Sequence, residues 1–187
     1  MQETELDVRQ LQEQINVLTA KVATLESSRK DQLSIAIVSG DMDKILAAMV
    51  ISLAAAAMDT KVKLFFSFWA LSALRAKEKK GEGKDFISKM FGMMLPKGKD
   101  KLKLSNMNMA GMGPMMIKYL MKSQGVMSME QMFQQAAELE IEIIVCEMSM
   151  NLMGFKKEEM IDYPYLSYAG ATTFVADAGE SAMQLFI

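Results

Sequence analysis

The sequence contains no histidine. That absence removes Ser-His-Asp and Cys-His catalysis, imidazole acid–base chemistry and His-ligated zinc or copper. There is one cysteine, Cys146, so an intrachain disulfide framework is excluded. Nothing at the N-terminus resembles a secretory signal, and a reducing cytoplasm is the expected location. A net charge of −2 gives no reason to expect a nucleic-acid partner. Long apolar runs are missing too. The stretch Ile45 to Met58 falls well short of the about 18 to 20 residues that a membrane span needs, and Asp59, Lys61 and Lys63 follow it. Chemistry is left to the thiol, carboxylates, lysines and backbone, with no metal ligand set and no cofactor implied.

What is present is apolar: 51% of 187 residues, enough for one domain with an appendage. Residues 1–31 read as an N-terminal coiled-coil helix and hinge, and residues 32–187 as an α/β domain. The coil follows from heptads with Met1, Val8, Ile15 and Val22 at position a, and Thr4, Leu11, Leu18 and Leu25 at position d. β-Branched residues at a with leucine at d favour a parallel two-stranded coil, in which Lys21 at g faces Glu26 at e of the partner. The other reading is an amphipathic helix lying on its own domain. Ser27 to Asp31 reads as the hinge.

Leu33 to Ser39 reads as a buried strand, broken at Ser39-Gly40-Asp41, with Asp41 capping a helix from Met42 to about Met58. Thr60 to Phe68 is a second strand and Trp69 to about Lys77 a helix, the βαβ rhythm of a parallel sheet. Between Arg75 and Lys103 lie ten of the 21 Lys and Arg residues against four acids. This basic segment is either a solvated face or a docking surface for an acidic partner or a phosphate-bearing thiol such as coenzyme A. A short helix, Phe86 to Leu95, lies within it. Met107, Met109, Met112, Met115 and Met116 are read as core or a mobile lid, with Cu(I) binding as the alternative. Further helices are expected over Met115 to Lys122 and from Ser128, with Gln131 completing its capping box, to Glu138. After a loop at Asp162 to Tyr165 and a helix from Ala169 to about Ala178, Met183 to Ile187 forms a closing strand at or near a sheet edge.

The centre of interest is Ile141 to Gly154. A short buried strand delivers Cys146 at its carboxyl end, where open α/β sheets collect ligands. Ser149 and Asn151 follow as possible caps, and Gly154 as a helix stop. A thiol facing the first turn of the next helix meets backbone N–H groups that favour thiolate. Alternatively, Cys146 is a small buried hydrophobe.

The blocks SGDMDKILAAMVISLAAAAM, VKLFFSFWALSALR, LSNMNMAGMGPMM, VCEMSMNLMG and QLFI occur in the order seen in DsrE/DsrF-like proteins. Over residues 32–187 the chain resembles that family, and most closely its methionine-rich subfamily, often labelled peroxiredoxin-like. The resemblance implies a three-layer α/β/α domain with a mainly parallel, flavodoxin-like sheet, assembled into homo-oligomers. It also implies sulfur trafficking, with Cys146 carrying sulfane sulfur as a persulfide, as a sulfurtransferase or carrier. Partners would then be a second copy and sulfur-donor and sulfur-acceptor proteins or low-molecular-weight thiols. No peroxidase mechanism is implied, since a resolving cysteine is absent. Around Cys146, the amides near Met148 and Ser149 would stabilise the thiolate, with Asn151 beside them and Arg75 a candidate counter-charge. Trp69, Met148, Met150 and Met153 would line a sulfur-friendly pocket or be ordinary core. Glu147 must point away from a reactive thiol. Rival readings are a non-enzymatic oligomeric scaffold with an inert Cys146, and a Cu(I) carrier.

Overall fold

The computed structural model describes residues 2–27, 31–79 and 86–187. Contacts divide the chain into two compact units, Met1–Asp31 and Gln32–Ile187. The first is one continuous helix, α1 (Gln2–Ser27).

The second unit holds five strands: β1 (Gln32–Ile37), β2 (Lys61–Phe66), β3 (Glu142–Cys146), β4 (Leu166–Ala169) and β5 (Met183–Phe186). They form one parallel sheet in the order β4-β3-β2-β1-β5. Its helices are α2 (Met42–Ala56), α3 (Phe86–Met94), α4 (Met112–Ser123), α5 (Met129–Glu138), α6 (Glu147–Leu152) and α7 (Ala171–Gly179). The strand order decides which helix covers which face. Each step from β1 to β4 moves the same way across the sheet, so right-handed crossovers put α2 and α5 on one face. The return from β4 to β5 runs the other way and puts α7 on the opposite face.

Alternation along the strands fills the two faces unequally. Leu33, Ile35, Ile37, Leu64, Phe66, Ile143 and Val145 meet Ile45 and Met49 of α2 and Met132 and Phe133 of α5 in the main core. The other face carries a separate small cluster, Phe65, Ile144 and Cys146, on which Ala169 and Phe174 pack. The parallel sheet, the flanking helices, the closing edge strand and the Ser128–Gln131 capping box all match the expectation.

Several local expectations fail. Phe68–Leu74 is a 3₁₀ segment rather than a helix reaching Lys77. Arg75 is drawn into extended backbone by its bridge to Met160, and the Ala76 amide bonds to the Glu159 carbonyl. Asp41 stands at the N-cap of α2, but its carboxylate accepts the Ser39 hydroxyl at 2.9 Å and caps nothing. The Met42 amide donates instead to the Lys103 carbonyl at 2.7 Å. Strand β4 lies between the expected loop at Asp162 to Tyr165 and the expected helix, and it takes Ala169 from that helix, which starts at Ala171. Helix α4 begins at Met112, and Met107, Met109, Met112, Met115 and Met116 are exposed, so they are not core.

Candidate functional site at the carboxyl edge of the sheet

Strand β3 runs without a loop into α6, and Cys146 is the N-cap of that helix. The residue belongs to both elements. Its backbone pairs with Ala169 of β4, while its side chain faces the amides of the first turn. The Ser149 hydroxyl donates to the Cys146 Sγ at 3.4 Å. Phe66 pairs with Val145, so the next residue along β2, Ser67, comes up beside Cys146. The Ser67 and Ser149 hydroxyls are 2.8 Å apart. Either hydroxyl of this pair can donate; with the single Ser149 O–H directed at sulfur, the Ser67 O–H is the one that reaches Ser149. The result is a short relay, Ser67 to Ser149 to sulfur.

Burial pushes the Cys146 thiol up, but the Ser149 hydroxyl and amide, the Ser67 hydroxyl and the Met148 amide more than offset it. The thiol is held below its ordinary value, in the direction of thiolate. Glu147, which would oppose this, pairs with Lys157 at 2.8 Å. The sulfur is nevertheless covered: Cys146 is 1% exposed.

Of the other expected site residues, Ser149 is buried against the thiol, while Met148 and Asn151 lie on the exposed side of α6. Trp69, half exposed, follows Ser67 in the 3₁₀ segment on which α6 lies. Gly40 is required there, because a Cβ would come within 2.6 Å of the Trp69 carbonyl oxygen. Met150 and Met153 belong to the main core, apart from the cluster containing Cys146, so they line no pocket around the sulfur. Arg75 is not a counter-charge. Its buried guanidinium donates to the carbonyls of Gly92 (3.1 Å), Pro96 (3.4 Å) and Leu95 (3.5 Å) and to the Glu159 carboxylate (3.5 Å). It also stacks 4.5 Å above the Phe155 ring. Arg75 clamps the end of α3 to the turn at 157–159.

Ser67 and Phe174 were missed from the sequence. Ser67 had a usable signal, as the first polar residue after β2 at the same sheet edge as Cys146. Phe174 had none. A cavity of about 550 Å³ between α4 and the start of α5, lined by Met42, Lys118, Met121, Lys122 and Ser128, includes none of these residues. Among the described residues no group of three or more Cys, Asp or Glu side chains could hold a metal ion, and no helix is long and apolar enough to cross a membrane.

A three-layer α/β domain with a lone thiol at the carboxyl end of a central strand defines the class. The chain belongs to the DsrE/DsrF/DrsH-like family, whose model matches residues 29–186. It is 44% identical over 154 residues to the uncharacterized protein YrkE of Bacillus subtilis, covering 82% of this chain and 95% of that one. It is 35% identical over 163 residues to the sulfur carrier protein DsrE2 of Allochromatium vinosum, covering 83% and 98%. The crystal structure of the ychN protein from E. coli shares the fold, with a TM-score of 0.50 at 10% identity over 85% of this chain and all of the other.

Proposed function

We propose that this protein accepts sulfane sulfur on Cys146 as a persulfide and passes it to an acceptor thiol. The observation that carries the reading is the relay from Ser67 and Ser149, which holds the family domain's single cysteine towards thiolate. The relative named as a sulfur carrier supports it.

In the first step the Cys146 thiolate attacks the outer sulfur of a donor persulfide, R–S–SH. A sulfur–sulfur bond forms to Cys146, the donor's bond breaks, and R–S⁻ leaves. In the second, an acceptor thiolate attacks the outer sulfur of Cys146–S–SH, forming its own persulfide and restoring the Cys146 thiolate. Electrons balance without an added oxidant or reductant, and neither metal nor histidine is needed. The donor is a persulfide and the acceptor a thiol, each on a protein or a small molecule. Trp69 and Met148, exposed beside the site, offer them an apolar rim. A homo-oligomer remains the expected assembly, with α1 contributing.

Burial of the sulfur demands an opening step. On its own face the cluster of Cys146 is overlain by Ala169 and Phe174, and α7, which carries Phe174, contains no fully buried residue. Displacing such a helix costs less than opening the main core. The same burial favours a second reading, a scaffold in which Cys146 is inert. Intact-mass spectrometry after incubation with a low-molecular-weight persulfide separates them. Addition of one sulfur to wild type and none to Cys146→Ser is the expected result. No addition, with alkylation only in denaturant, overturns the carrier reading.

A further inference from the structure

We infer that α1 pairs in parallel and in register with α1 of a second copy, forming a two-stranded coil that joins two carrier domains. The seam itself identifies the occupant. Every side chain from Gln10 to Thr24 is exposed, including four aliphatics spaced as a narrow stripe: Leu11 (52%), Ile15 (54%), Leu18 (59%) and Val22 (51%). Apart from Val17, the positions between them are polar or small. A broad apolar face would fit a globular surface, whereas a stripe alternating three and four residues fits another stripe of the same repeat. A helix of 26 residues, about 39 Å long, contains neither proline nor glycine, so the stripe runs on without a break.

Polarity and strand number follow from residue shape. Ile15 and Val22 are β-branched and occupy a, while Leu11 and Leu18 occupy d, the combination that packs best in a parallel pair. The matched family region begins at residue 29, so the seam lies outside it and adds a partner to the domain's own surfaces. With parallel pairing both domains follow from the same end of the coil. Two thiols then belong to one particle, and a partner with two acceptor sites gains effective concentration at the second. That last consequence rests on the carrier reading. The pairing does not.

The test uses the full chain. Light scattering is compared between wild type and Ile15→Glu/Leu18→Glu, which puts charge into the seam without changing the domain. The variant is expected to lose half of the wild-type mass, or to step down by a factor of two from a larger assembly. Unchanged mass overturns the proposal and leaves the stripe to another surface. Register is read separately with Leu18→Cys in a Cys146→Ser background, treated with the thiol oxidant diamide. In parallel register Leu18 faces its own copy, so a disulfide-linked dimer forms in high yield. Absence of that cross-link, alongside a mass that does fall in the glutamate variant, overturns the parallel arrangement. Sulfur loading of Cys146 is unaffected in every arm that retains the cysteine, so failure of the coil and failure of the carrier reading remain distinguishable.

Discussion

At the residue scale the question is what holds Cys146 towards thiolate in a buried setting. Burial alone would raise the thiol, so the lowering depends on hydroxyl and amide donors. Ser149→Ala removes the nearest hydroxyl, whose hydrogen bond strengthens when the sulfur is charged and so favours ionisation. It should slow alkylation near neutral pH severalfold and move the rate–pH midpoint upward. Ser67→Ala, acting mainly through Ser149, should move it less. Iodoacetamide kinetics across pH check both, and equal profiles for all three proteins would dismiss the relay. The sign for stability follows from linkage: the native thiol is depressed, so its contribution is present above the unfolded thiol value. It is lost as pH falls through the native value, and Cys146→Ser should remove that slope from pH-dependent unfolding. Arg75 makes the contrasting case. Arg75→Ala removes the buried guanidinium that pairs with Glu159 and holds three carbonyls, and breaking a buried pair by losing one partner costs about 3–5 kcal/mol. Urea unfolding should register that loss, while the alkylation profile of Cys146 keeps its midpoint. A shifted midpoint would restore Arg75 as a counter-charge.

At the element scale, α7 is the helix that packs Phe174 on the cluster holding the sulfur. It is held by the Lys63–Asp177 pair at 2.6 Å and by Phe174 against Phe65, with ring centroids 5.3 Å apart. Phe174→Ala should speed alkylation of Cys146 in the native protein, with far-UV circular dichroism unchanged; an unaltered rate would place the cover elsewhere. What the sequence disclosed at this scale follows physical signal strength. β1, β2 and β3 are apolar runs between helices, and Ser128 with Gln131 announces α5. β4 is four residues of mixed character at the sheet edge, preceded by Pro164, and carries neither an apolar run nor strict alternation. The 3₁₀ segment after Ser67 looked helical because Trp69 to Leu74 is apolar; the bridge from Arg75 to Met160, which stops it, is a tertiary contact. Cys146 was legible because a strand end and a helix start coincide there. Ser67 reaches it only through strand register, which a single sequence does not state.

At the scale of the whole molecule the two faces of the sheet are unequal, and that inequality bears on whether a buried thiol can react. The main core joins α2 and α5 to three central strands, while the face under α7 buries little beyond Phe65, Ile144 and Cys146. Sub-global opening draws on the less buried face first. The free energy of such an opening falls only weakly with urea, because the slope scales with the surface exposed, whereas global unfolding of a small protein follows a slope of about 1–3 kcal/mol per molar urea. Alkylation of Cys146 measured below the unfolding transition should therefore rise with urea along a shallow slope, well under the global one. Phe174→Ala should flatten it further by removing part of the surface that opening exposes. A slope equal to the global value would mean that the sulfur is reached only when the main core opens. In that event α7 is no gate, the Ser67–Ser149 relay is a packing device around an inert side chain, and the scaffold reading takes precedence.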